Sequence, residues 1–375
     1  MRSTAVAAAA LPRLYLGTMT FGWKSQTSSY VDERIALEMT EHFIAHNRKC
    51  VQGDGGDVEE VDHYIDTARI YAGGKTEKIL GHVLSKIGAS SAHKGDVLQV
   101  GTKAHPSQPG GLSPKGIQDQ IDSSIEAMDL NGVKLSEYYL HQPDTENSLL
   151  ESLETLHGYV TNGVIATIGM SNYHASEVQR AFDLCDQHSL TPPKVYQGIY
   201  NPLNRNIEDE LLPILRKNGA TFVAYNPLAA GLLTGKHTDP DKAVKGRFKN
   251  NKNYLPRFYT KSNFEALELI RGACDEAGIT LVEATFRWLL RHSALKEGDG
   301  VLLGASSLKQ LGQNLDACAA ASRKGPLPDL VLDAFEKAWI LTKPGSFPYW
   351  RSYSKDMPGR ENLDQGASYD AIKKK

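Results

Sequence analysis

The chain has 375 residues, 41% of them apolar and 8% aromatic, which is ample material for a sizeable core. Its formal charge of −2 leaves no footprint for nucleic acid or an anionic membrane as partner. No stretch approaches the roughly 18 apolar residues of a membrane span.

Residues 1–13 are too weakly apolar for a secretory core and are expected to form a flexible N-terminus of a cytoplasmic protein. The run "LYLGTMTF" (14–21) predicts the first strand, and a helix follows from Asp32 to about His46. A polar, Gly-rich insertion (47–61) precedes the strand "VDHYID", which stops at Asp66. "TEKILGHVLSKI" has helical spacing, with Ile79, Leu80, Val83, Leu84 and Ile87 on one face. "DVLQVGTK" reads as a buried strand, followed by a helix with Ser113 as N-cap and Pro114 at its first position. "EYYLH" and "VIATIGMSN" continue the strands, with a helix closed by Gly163 between them and another from about Ala175. "KVYQGIYN" leads to a helix near Ile207. "ATFVAYNPL" leads to a long loop (237–262) and the helix around "NFEALELIRGACDEAG". "GVLLGAS" and "LKQLGQNLDAC" complete the series, and the tail 352–375 is expected to be too polar to pack.

Eight strand-then-helix units without a Pro/Gly/Ser linker predict a (β/α)8 TIM barrel, a single domain over residues 14–351. The first βα turn lacks GxGxxG, which argues against an open Rossmann sheet. Cys50, Cys185, Cys274 and Cys318 have no paired spacing and read as thiols of a reducing compartment. "GGKT" (73–76) is no P-loop, because Arg69 stands where the leading glycine belongs. His42 and His46 lack both the intervening Glu and a third ligand, so no metal site is expected.

Barrel enzymes work at the C-terminal ends of their strands. Strand two ends in Asp66, with Tyr71 in the loop beyond; strand three ends in Lys103 and strand four in His141. A phenol ionises near pH 10, too high for easy proton exchange at neutrality. A neighbouring ammonium stabilises the phenolate, a carboxylate holds that ammonium in place, and a histidine can orient a substrate oxygen. The set suits proton delivery to a carbonyl oxygen becoming an alkoxide. No side chain supplies hydride, so a nicotinamide cofactor is implied.

The ordered motifs "YIDTARIYAGGKTEKILG", "VGTKA", "YYLHQPD", "IGMSNY", "YQGIYNPLNR" and "YNPLAAGLLTGK" resemble the aldo-keto reductases, in particular the aflatoxin-aldehyde and succinic-semialdehyde reductase branch. The resemblance runs from about Leu14 to Arg351. It implies NADPH-dependent reduction of aldehydes, including semialdehydes and dialdehydes, or of ketones. In that reaction Tyr71 is the general acid, Lys103 linked to Asp66 tunes it, and His141 binds the carbonyl. It implies NADPH (NADP+) held by Ser171, Asn172 and Gln197 at the carboxamide and by Tyr225 on the ring. The segment Asn226 to Lys236 would cover the pyrophosphate, with Asn226, Pro227, Leu228, Gly231, Leu233, Gly235 and Lys236 as contacts. Ser306, Gln310, Gln313 and Asn314 would take the adenosine end, and Arg247 is a second candidate for phosphate. Arg257 and Arg351 match the substrate end, where two guanidinium groups suit a small carbonyl compound carrying an acid or several oxygens. The branch also implies a homodimer. Two alternative readings stand beside this one: a dedicated carbonyl reductase of secondary metabolism, and a cofactor-sensing subunit like the potassium channel β-subunits. The run "TFGWKSQ", the insertion at 47–61 and the tail depart from the branch's pattern and leave the substrate open.

Overall fold

The computed structural model describes residues 11–24, 27, 29–52, 60–130, 134–239, 248 and 254–367. Eight parallel strands close into a barrel in sequence order. They are β1 (Arg13–Gly17), β2 (Val61–Asp66), β3 (Asp96–Ala104), β4 (Leu135–Leu140), β5 (Ile165–Ser171), β6 (Val195–Ile199), β7 (Thr221–Tyr225) and β8 (Gly300–Gly304). The ring closes where Arg13 to Gly17 pair in register with Gly300 to Gly304. This is the (β/α)8 architecture that the sequence predicts.

The helices are α1 (Glu33–Gln52), α2 (Lys75–Gly88), α3 (Pro114–Met128), α4 (Leu149–Thr161), α5 (Ala175–Gln187), α6 (Leu211–Lys217), α7 (Leu255–Phe258), α8 (Lys261–Glu276), α9 (Leu281–Arg291), α10 (Leu308–Arg323) and α11 (Asp329–Thr342). Their starts are set by side chains that satisfy the free N–H groups of the first turn. Ser113, Ser148, Thr260, Thr280 and Ser307 accept hydrogen bonds from the N–H groups of Gly116, Glu151, Asn263, Glu283 and Gln310. The main core lies between barrel and helices, while Tyr15, Tyr139, Val195 and Val223 form a separate cluster. Among the described residues no helix is long and apolar enough to cross a membrane.

The structure corrects several boundaries. The first strand ends at Gly17: Thr18 N–H completes the ladder to Asp66 O, its carbonyl then accepts from Phe21 N–H in a turn, and Phe21 folds into the core as part of the loop. Residues 47–52, expected as part of an insertion, continue α1; residues 53–59 lie outside the described residues, as do 1–10. The helix expected near Ile207 begins at Leu211. Helices α7, α9 and α11 are additional to the expected ones: α7 falls inside the expected loop 237–262, and a strand-then-helix rhythm allows one helix per gap. Helix α8 packs chiefly on α11, and α9 on α10.

The expectation of an unpacked tail fails over residues 352–367. Residues 350–352 pair antiparallel with 365–367, and Lys355 donates its N–H to Asp144 O. Tyr353 and Ser354 are buried. Asp356 accepts from Leu149 N (2.9 Å) and Ser148 Oγ (2.8 Å) at the start of α4, and pairs with Arg180 of α5 at 2.6 Å. Partial burial raises this carboxyl, yet the Arg180 and Leu149 contacts outweigh it and hold it at about 2.

Candidate active site

The loops leaving the C-terminal strand ends surround a cleft of about 1300 Å³. Lys103, on β3, is wholly buried, and its ammonium donates to Asp66 Oδ1 at 2.5 Å and to Thr67 O at 2.7 Å. A buried charge is stable only when paired and hydrogen-bonded, and Asp66 at the end of β2 supplies the pair. Gln197 of β6 donates to the same Oδ1 at 2.8 Å. The Lys103 nitrogen lies 5.6 Å from the centroid of the Tyr71 ring.

Tyr71 opens a tight turn, Tyr71–Gly74, in which Ala72, Gly73 and Gly74 all have left-handed φ (47°, 63° and 87°). Such backbone needs external support. Arg69 supplies it, reaching Gly74 O and forming a 2.6 Å bond to the buried carboxylate of Glu77. Glu77 in turn accepts from Thr102 and Ser124. A Cβ on Gly74 would collide with the Arg69 guanidinium.

His141 follows β4 directly, its ring edge-on to Tyr71 at 6.0 Å between centroids. Burial first, then the charges of His105, Lys103 and Arg351, push its pKa well below the ordinary value, so the ring is neutral at physiological pH. Its Nδ1 is buried with no hydrogen-bond partner among the described residues. His105 stacks edge-on against it at 4.9 Å and is itself driven down to about 4 by burial and Arg351.

Ser171, Asn172, Gln197 and Tyr225 all line the cleft. Asn172, with φ 61°, donates to His141 O and accepts from the Tyr225 hydroxyl at 2.8 Å, which ties the ends of β4, β5 and β7 together. Asn226, Pro227, Leu228, Gly231 and Lys236 also line it. Asn226, Ala229 and Ala230 are left-handed there (52°, 48°, 58°), as is Gly231 at 106°. Leu233 and Gly235 do not line it; Leu233 is fully buried in the core and Gly235 closes the turn. Ser306, Gln310, Gln313 and Asn314 line the far end at the start of α10, where Ser306 donates through N and Oγ to Gln310 Oε1.

Arg257 and Arg351 both border the cleft. Arg257 lies over the Phe347 ring at 4.3 Å, and Arg351 donates to Gln142 Oε1 at 3.3 Å. Arg247 lies outside the described residues. Met19 and Trp23, in the loop after β1, are among the lining groups absent from the site reading. His105, beside His141, also escaped it, although its place two residues past Lys103 was a signal available in "TKAHP".

Residues 13–325 match the model of the Aldo/keto reductase family. The chain is 39% identical over 289 residues to the Aldo-keto reductase family 7 member A3 of Homo sapiens, covering 74% of this chain and 84% of that one. It is 39% identical over 289 residues to the Aflatoxin B1 aldehyde reductase member 2 of Mus musculus, covering 74% and 76%. With the Oxidoreductase sirO of Leptosphaeria maculans it shares 32% identity over 340 residues, 88% of this chain and 95% of that one.

Proposed function

The chain belongs to the aldo/keto reductase family, and from this and the cleft we propose that it reduces aldehydes to alcohols with NADPH, Tyr71 giving the proton. The carrying observation is the buried Lys103 ammonium, clamped by Asp66 and Thr67 and set beneath the Tyr71 ring. Its charge favours electron density on the phenol oxygen and so eases departure of the Tyr71 proton toward a nascent alkoxide. Neutral His141 orients the substrate oxygen. With the proton on Nε2, its buried Nδ1 leaves a lone pair unmatched rather than an N–H.

The cleft residues fit a nicotinamide dinucleotide. Ser171, Asn172 and Gln197 offer amide and hydroxyl groups around one end, beside the Tyr225 ring. The left-handed residues Asn226, Ala229, Ala230 and Gly231 give a tightly turned loop whose backbone can approach a pyrophosphate closely. Ser306, Gln310, Gln313 and Asn314 stand at the start of α10, where N–H groups and the helix dipole favour a phosphate such as the one that distinguishes NADPH. When bound, the reduced cofactor supplies the hydride. Arg257 and Arg351 on the substrate side favour carbonyl compounds with a carboxylate or several oxygens. All four cysteines are free and three are buried, which suits a cytoplasmic setting.

The test is consumption of NADPH with succinic semialdehyde, 4-nitrobenzaldehyde and a dialdehyde. Turnover of at least one, with the carboxylated substrate favoured, is expected. Binding of NADPH without turnover of any carbonyl compound would overturn the reading.

A further inference from the structure

Directly beneath Lys103 the barrel interior holds an acid that the proposed chemistry does not use. Glu137 on β4 faces inward beside Gly101 of β3, its register partner, and is 9% exposed. The Tyr15 hydroxyl of β1 donates to its Oε1 at 2.9 Å, and the Tyr139 hydroxyl donates to its Oε2 at 2.6 Å. The Tyr139 ring stands between this carboxyl and the ammonium, with its centroid 5.3 Å from Lys103 Nζ.

Barrel interiors are filled mostly by branched aliphatic side chains, as Val195 and Val223 do here. A carboxyl in that layer costs desolvation that an aliphatic residue would avoid. The strands are nevertheless shaped around it. A Cβ on Gly169 would collide with the Tyr139 ring, one on Gly300 would collide with Tyr15, and one on Gly101 would sit 3.2 Å from Glu137 Oε2. Two phenol donors on its two oxygens match the ionised form, which accepts at both. Burial raises the carboxyl's pKa, and the Tyr139 and Tyr15 hydrogen bonds oppose that rise. The charged and titratable groups that face it are Tyr15 from β1, Tyr64 and Asp66 from β2, Lys103 from β3, and Tyr139 from its own strand.

We propose that Glu137 is a positioning residue of the catalytic unit. By holding Tyr139 it fixes the floor on which the Lys103 ammonium sits. Its own negative charge, across the Tyr139 ring from Lys103, offsets part of that ammonium's pull on Tyr71 and keeps the proton on the phenol until the substrate oxygen takes it. The proposal rests on reading Tyr71 and Lys103 as the proton-delivering pair.

The experiment is a spectrophotometric phenol titration of the wild type and of Glu137→Gln, each measured against its own Tyr71→Phe counterpart. It needs no substrate. Ionisation of Tyr71 should move to lower pH in Glu137→Gln by on the order of one unit, as one buried charge acting past the Tyr139 ring and Lys103 would produce. The basic limb of the kcat profile should move with it. Glu137→Leu, which removes the charge and fills the interior with an aliphatic side chain as Val195 and Val223 do, should shift the same way; it serves if Glu137→Gln does not fold. An unchanged ionisation in both variants would overturn the proposal, as would a loss of kcat equal at every pH with the ionisation unmoved. Absence of turnover in the wild type would count against the reductase reading alone, and the titration would still decide the role of Glu137.

Discussion

Single side chains in this molecule carry charges in places where water cannot help them. Lys103 resolves that with a carboxylate and a carbonyl, whereas Glu177 in the first turn of α5 does so only in part. It is fully buried, accepts the Ser354 N–H at 2.9 Å, and lies 3.9 Å from Arg180. Its Oε2 has no hydrogen-bond partner among the described residues. Burial, only partly offset by Ser354 and Arg180, raises it to about 7 from an ordinary 4.5. The sign follows from proton linkage. Below pH 4.5 both folded and unfolded chains hold the proton and stability is complete. As pH rises toward 7 the unfolded chain loses the proton first, so stability falls. Glu177→Gln should abolish that decline, narrowing the fall in Tm between pH 5 and pH 8 by roughly 2–4 °C. Thermal unfolding at the two pH values checks this, and an unchanged fall would show that Glu177 is not the titrating group.

At the level of elements, the strands were legible because buried parallel strands read as short apolar runs, and β2 coincides with "VDHYID". Asp66, Lys103 and His141 were legible for a related reason: topology puts strand ends on one face, so naming the ends names the neighbours. What stayed hidden depends on side chains meeting across long stretches of chain. Tyr15 and Glu137 are 122 residues apart, and no local pattern marks them as partners. The packed tail is the same case. Asp356 contacts Ser148 and Arg180, and Arg360 donates to Thr145 O, so a stretch that reads as polar and unstructured clasps the loop after β4. Because that loop carries His141 and Gln142, and Arg351 immediately precedes the tail, the clasp borders the substrate side. Asp356→Ala removes a helix-capping acceptor and an ion pair together, and should lower stability by about 1–2 kcal/mol. Chemical denaturation measures it; a loss near zero would mean the clasp adds nothing to the fold.

Taken whole, the barrel is a closed ring of eight strands with a cleft among the loops at one end. Glycines inside the ring make room for aromatic rings. A ligand that binds only the folded ring stabilises it by mass action, about 2.7 kcal/mol at a hundredfold excess over Kd. NADPH should therefore raise Tm whether or not the chemistry is intact, which separates binding from catalysis. The most direct test of the account is steady-state reduction of succinic semialdehyde by wild type and Tyr71→Phe, with the NADPH-induced rise in Tm recorded for both. The expected result is a roughly 10²- to 10⁴-fold lower kcat in the variant with the same rise in Tm. Equal turnover by the two proteins would contradict Tyr71 as the proton donor and, with it, the role assigned to Lys103.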